Sequence, residues 1–167
     1  MKPLFWRSRL LLPILLIAFI PRLHAQAYIE HSRVIAGNSS EITNDLVVDA
    51  AGNSYMLVTT AGTTYPVTLG SVPSNNLQRS VVTKLDPSGN IIWSRYLPFG
   101  ASASNQYVRL LLQNGTLYLL GSTVAPDIPV TDGSTFGGGT FTDILFTKLD
   151  AATGAVLHNG LPGRQRR

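Results

Sequence analysis

Cysteine is absent from all 167 residues. That excludes disulfides and thiol chemistry, in an exported protein as much as in a cytosolic one. Histidine is almost as scarce, with only His24, His31 and His158. With no Gly-x-Ser-x-Gly elbow either, nucleophilic catalysis has little to work with. No stretch keeps a 3.6-residue apolar period, so helices are not expected in the body of the chain. Only one long apolar run exists, residues 10–20. At eleven residues it falls well short of the roughly 20 that a spanning helix needs.

That run has a basic segment before it (Lys2, Arg7, Arg9) and the small residues of Ala25-Gln-Ala27 after it. The three-part pattern is that of a secretory signal peptide over residues 1–27, with cleavage after Ala25 or Ala27. Without a nearby cysteine, a lipid anchor is not expected, nor is a stable transmembrane anchor. The expected location is secreted, or on the exterior of the cell envelope. Export also changes the charge. The whole chain has 13 Lys and Arg against 9 Asp and Glu, but four of the basic residues lie in the leader and three in the tail at 164–167. Between residues 28 and 163 six basic side chains face nine acidic ones. A mildly acidic body gives no reason to expect nucleic acid as a partner.

What the chain does contain is itself, twice. Gly52-Asn-Ser-Tyr-Met-Leu-Val-Thr-Thr60 returns 63 residues on as Gly115-Thr-Leu-Tyr-Leu-Leu-Gly-Ser-Thr123. Tyr65-Pro-Val-Thr68 returns as Ile128-Pro-Val-Thr131, and Val82-Thr-Lys-Leu-Asp86 as Phe146-Thr-Lys-Leu-Asp150. A partial third copy, Tyr28-Ile-Glu-His-Ser-Arg33, precedes both and matches Asn90-Ile-Ile-Trp-Ser-Arg95. Self-similarity at a fixed period marks one supersecondary unit whose copies cover each other's apolar faces.

The unit reads as strands. Short runs of Val, Ile, Leu, Thr and Tyr are bounded by Gly, Asn, Asp, Ser and Pro. Strands are predicted near residues 46–48, 55–60, 80–85 and 91–97, then near 108–112, 117–122, 144–149 and 156–158. Asp49-Ala-Ala-Gly-Asn53, Asp86-Pro-Ser-Gly-Asn90 and Asp150-Ala-Ala-Thr-Gly154 each place an aspartate ahead of a glycine between two apolar runs. The carboxylate accepts from backbone N–H groups two residues on, and glycine supplies positive φ. Gln113-Asn-Gly-Thr116 fills the matching turn in the second unit. The long connections, 61–79 and 124–142, join second strand to third, with Gly137-Gly-Gly139 as the most flexible point. Four strands in some 60 residues suit an all-β fold of four-stranded antiparallel meanders, the blades of a β-propeller.

The succession resembles the SBBP type of β-propeller repeat of exported bacterial proteins. It is carried by Leu46-Val-Val-Asp-Ala-Ala-Gly-Asn-Ser-Tyr55, Tyr65-Pro-Val-Thr-Leu-Gly-Ser71 and Val82-Thr-Lys-Leu-Asp-Pro-Ser-Gly-Asn90, and by their second copies. The resemblance spans nearly all of residues 28–163. It implies a propeller in an extracellular or envelope setting, and no shared catalytic residues. On this reading residues 28–41 are a leading outer strand and connection, 42–100 the first repeat, 101–163 the second and 164–167 a basic tail. A closed propeller has about 4–8 blades, so two form an incomplete one. A longer protein, or several copies of this one, would complete it.

No residue qualifies as a catalytic, cofactor or metal site. Each aspartate turn offers a single carboxylate where calcium wants six to eight oxygens, so the turns are read as turns. Lys148-Leu-Asp-Ala-Ala-Thr-Gly-Ala-Val-Leu-His158 is similar to the Asp-x-x-Thr-Gly-x-x-x-Trp docking motif of quinoprotein-type propellers, but His158 stands in the tryptophan's place. His31, Trp93 and His158 hold corresponding positions in three copies and are read as rings packing between outer strands. Tyr55 and Tyr118 are read as packing too, and Tyr65 as a loop residue free for contact. Asn38-Ser-Ser40 and Asn114-Gly-Thr116 match the N-glycosylation pattern, which presupposes a eukaryotic secretory route. The expectation is an exported, non-enzymatic β-propeller repeat segment serving as a surface scaffold or interaction module. It is not an enzyme, and its partner is an unidentified protein or glycan at the cell surface. The alternative is a lectin-like, carbohydrate-binding protein that closes its ring by homo-oligomerisation.

Overall fold

A computed structural model of the chain describes residues 32–133 and 141–160. The signal-peptide, Gly137–139 and basic-tail expectations fall outside these residues. Eight strands are present among them: β1 Glu41–Val48, β2 Ser54–Thr60, β3 Arg79–Leu85, β4 Ile91–Tyr96, β5 Asn105–Gln113, β6 Thr116–Thr123, β7 Asp143–Asp150 and β8 Val156–Gly160. They form two open four-stranded antiparallel sheets, ordered β1-β2-β3-β4 and β5-β6-β7-β8. The protein is all-β over the described residues, and no helix among them is long and apolar enough to cross a membrane.

The two sheets repeat down to their irregularities. Tyr55 pairs with Lys84 and Lys84 with Trp93; Tyr118 pairs with Lys148 and Lys148 with His158. In each first hairpin the register shifts at one place, at Asn44 in β1 and Val108 in β5. In each last hairpin it shifts again, at Ile92 and Leu157. A bulge turns a strand more sharply and re-aims one side chain, so both units bend alike.

Two strands start three or more residues earlier than predicted. β1 starts at Glu41 and β5 at Asn105; Ile42 and Thr43 favour strands, but the flanking Glu41, Asn44 and Asp45, like Asn105 and Gln106, do not. Cross-strand pairing with Thr59, Thr60, Ser122 and Thr123 extends both. The predicted leading strand over 28–33 is not supported where it can be seen: Ser32 and Arg33 lie outside any strand, and residues 28–31 are not described.

The turns follow their chemistry. Asp49 accepts from the amides of Ala51 and Asn53 and from the Asn53 side chain. Asp86 is bonded in the same way by Asn90. Asp150 accepts from the amide and hydroxyl of Thr153. Asn114 and Gly115 both have positive φ, 48° and 73°, as a two-residue hairpin turn demands.

Pairing partners share a face of the sheet. One face of β1–β4 carries Tyr55, Leu57, Val82 and Trp93, and these form a single core with Tyr107, Leu110, Leu119 and Leu145 of the second sheet. A second, smaller cluster lies on the other face of the first sheet, where Tyr65 joins Val58, Val81 and Tyr96.

Candidate functional site

The junction between the sheets is built around β5, an edge strand whose outward amides would otherwise lack partners. Asn105 N donates to Gln78 O at 3.3 Å, Tyr107 N to Ser80 Oγ at 3.0 Å and Leu110 N to Asp45 Oδ2 at 2.9 Å. Asn44, the bulged residue of β1, sends Nδ2 to Tyr107 O at 2.8 Å. The bulge thus aims a donor across the junction, and Asp45 beside it aims an acceptor.

Farther out, three side chains of the first sheet hold the β7–β8 turn. Lys84 Nζ and Trp93 Nε1 both donate to Ala151 O, at 3.2 and 3.3 Å. Arg95 Nη1 donates to Gly154 O at 2.6 Å. The indole lies so close that a Cβ on Gly154 would sit 2.9 Å from Trp93 Cδ2. Trp93 therefore packs on the turn of the next sheet and against Tyr55, ring centroids 6.2 Å apart. Its counterpart His158 is half-buried, 5.8 Å from the Phe146 ring. Its Nε2 stands 3.9 Å from Asp132 Oδ2, a distance at which little stabilisation is expected. Ring packing against a neighbour is thus seen for Trp93; His31 lies outside the described residues.

Pro-Val-Thr proves to be a clamp for the outer strands. Thr68 N donates to Ser94 O at 2.8 Å, and Ser94 N returns a bond to Thr68 Oγ1 at 3.0 Å. Thr131 and Asn159 do the same in the second unit, both at 2.8 Å. Tyr65 corrects an expectation. Rather than a free loop contact, it is buried, with its hydroxyl 3.2 Å from Thr83 Oγ1. The equivalent Thr147 is bonded instead by Tyr107, 2.6 Å away. Burial pushes both phenols above their ordinary range.

A cleft of about 480 Å³ opens beside this junction between Pro98, Phe99, Pro129 and Val130, with Arg95 in its wall. Burial alone shifts the Arg95 guanidinium downward. Its hydrogen bonds to Gly154 and Tyr96 carbonyls tie it to the junction. Asp49, Asp86 and Asp150 are held below the ordinary carboxylate range, chiefly by the side chains of Asn53, Asn90 and Thr153. Among the described residues no group of three or more His, Asp or Glu is placed to hold a metal ion.

The sequence marked Trp93 and the aspartate turns but missed Asn44, Asp45 and Arg95 as junction residues. For Arg95 a signal existed, because Ser32-Arg33 and Ser94-Arg95 recur in the partial copy. In the structure Arg33 Nη1 donates to Gly89 O at 2.9 Å, as Arg95 does to Gly154 O. No protein-family model, curated protein or solved structure matches this chain.

Proposed function

We propose that the chain is an exported, non-enzymatic segment of a β-propeller of the SBBP repeat type, serving as a surface scaffold or interaction module. One observation supports this reading above the others: two sheets with the same order, pairing and bulges, the first laid on the second through apolar faces. The polar residues that recur in both units serve turns, strand edges or the junction, which is what a scaffold asks of them. Its partner is a protein or glycan at the cell surface. The test is expression with the leader intact in a Gram-negative host, then fractionation, N-terminal sequencing and limited proteolysis. Material beginning at Gln26 or Tyr28, outside the inner membrane and protease-resistant across residues 41–160, is expected. Cytoplasmic material retaining Met1 would overturn the reading.

A further inference from the structure

The repeat shows what an open sheet face is meant to touch. Leu57 is 0% exposed against the second sheet, while its counterpart Leu120 is 44% exposed on the outer face of that sheet. Conversely, Leu110 is 5% exposed against the first sheet, while its counterpart Leu46 is 50% exposed on the first sheet's outer face. Position for position, these leucines differ only in having or lacking a neighbour. Ser80 is buried in the junction, and its counterpart Ile144 is exposed. At that position the open face of the second sheet is more apolar than the face it repeats.

We infer that the open face of β5–β8 binds the outer face of the β1–β4 sheet of a second copy of this chain, head to tail. This rests on the repeat reading above. Three observations support that occupant. First, a hollow of about 190 Å³ lies on the outer face of β1–β4, with Ile35, Met56, Val58 and Tyr65 in its wall beside Arg33 and Glu41. The second-sheet counterparts of Met56 and Tyr65, Leu119 and Ile128, are buried in the core they share with Leu57 and Val82. Leu120 and Phe146 are the counterparts of those two, so they are the groups to fill the hollow. Second, the charges match. Arg109 stands where Asp45 stands in the first unit, and so would face the Leu46 amide of the second copy. That amide is already bonded to Oδ1 of its own Asp45, at 2.9 Å, while Oδ2 takes the Leu110 amide of the other sheet, so the guanidinium meets a carboxylate already held through both oxygens. Third, Lys148 has the place of Lys84 and would face the turn at Pro87, as Lys84 faces the turn at Ala151.

One contact competes. Arg33 already holds Gly89 O and Asn90 Oδ1, both bonds exposed, on the spot where an arriving β8 would end. The Arg33 side chain must release both acceptors, while Ile35 stays in its cluster. Such a contact joins unlike surfaces, so it propagates into a ring or an open chain of copies.

Sedimentation velocity and native mass spectrometry on the purified protein test this. The wild type is expected to associate. Leu120→Asp and Leu46→Asp should each weaken association more than about tenfold. Both sites are exposed, so circular dichroism should stay unchanged; Ile144→Asp and Val48→Asp are second variants on the same two faces. Mixing L120D with L46D should give a 1:1 dimer, because each variant keeps the face the other lacks. Arg33→Ala should tighten the wild-type association several-fold. Rings and open chains both carry the contact, and mass tells them apart. If L46D still dimerises alone, or if the mixture stays monomeric, the head-to-tail contact is wrong. A wild-type monomer at every concentration also overturns it, yet leaves the export and scaffold reading to its own test.

Discussion

Leu57 and Leu120 occupy the same place in two sheets, and a paired truncation reads out which face is buried. Leu57 is enclosed by the core that joins the sheets, so Leu57→Ala removes its transfer energy and leaves a cavity. Such changes cost about 3–4 kcal/mol. Leu120 keeps almost half of its surface in water. Only about half of a leucine's roughly 2 kcal/mol of burial energy is then at stake, and no closed cavity forms, so Leu120→Ala should cost about 1 kcal/mol or less. Urea unfolding, followed by Trp93 fluorescence in the Leu46→Asp background to keep the chain monomeric, makes the comparison. With a slope of about 1.5–2 kcal/mol per molar urea, the midpoint should drop by about 2 M for L57A and by roughly 0.5 M for L120A. Trp93 is buried against Tyr55 and the turn at Gly154, so its signal reports the junction itself. Equal costs, or a larger one for L120A, would refute the arrangement, since the sheets would then not meet through the face that carries Leu57.

Gly154 has φ +72° with Trp93 against it, whereas Gly115 has φ +73° with nothing within 4 Å of a Cβ. Gly115→Ala should cost about 1 kcal/mol from backbone strain, and Gly154→Ala about 1–2 kcal/mol more because the indole must move; urea midpoints and the Trp93 emission maximum check both. The three turn aspartates are held below the ordinary range when folded. Their contribution is present above about pH 4, the unfolded value, and is lost as pH falls through the lowered folded values. Urea midpoints measured from about pH 6 down to about pH 2.5 should fall, and fall less steeply in a triple variant with Asp49, Asp86 and Asp150 all changed to Asn.

The local architecture was legible in the sequence because its signals are local. An aspartate four residues ahead of Asn53 or Asn90 binds that residue's amide wherever the turn occurs. Val, Leu, Thr and Tyr runs between such turns have little choice but to pair as meanders. The repeat carried this further, since two copies with one pattern must share one topology. Tertiary structure decided the rest. Ile42-Thr43 is too short a β-prone pair to mark a strand among Glu, Asn and Asp; Asn44 bulges from one and reaches Tyr107 O, a residue 63 positions away. Tyr65 looks like a loop residue until the fold sets its ring over Val58 and Val81 and brings its hydroxyl to Thr83. Leu57 and Leu120 are the same letter in the same motif. Burial is a property of what lies opposite, so only the packing of one sheet on the other could make the first a core residue and leave the second exposed.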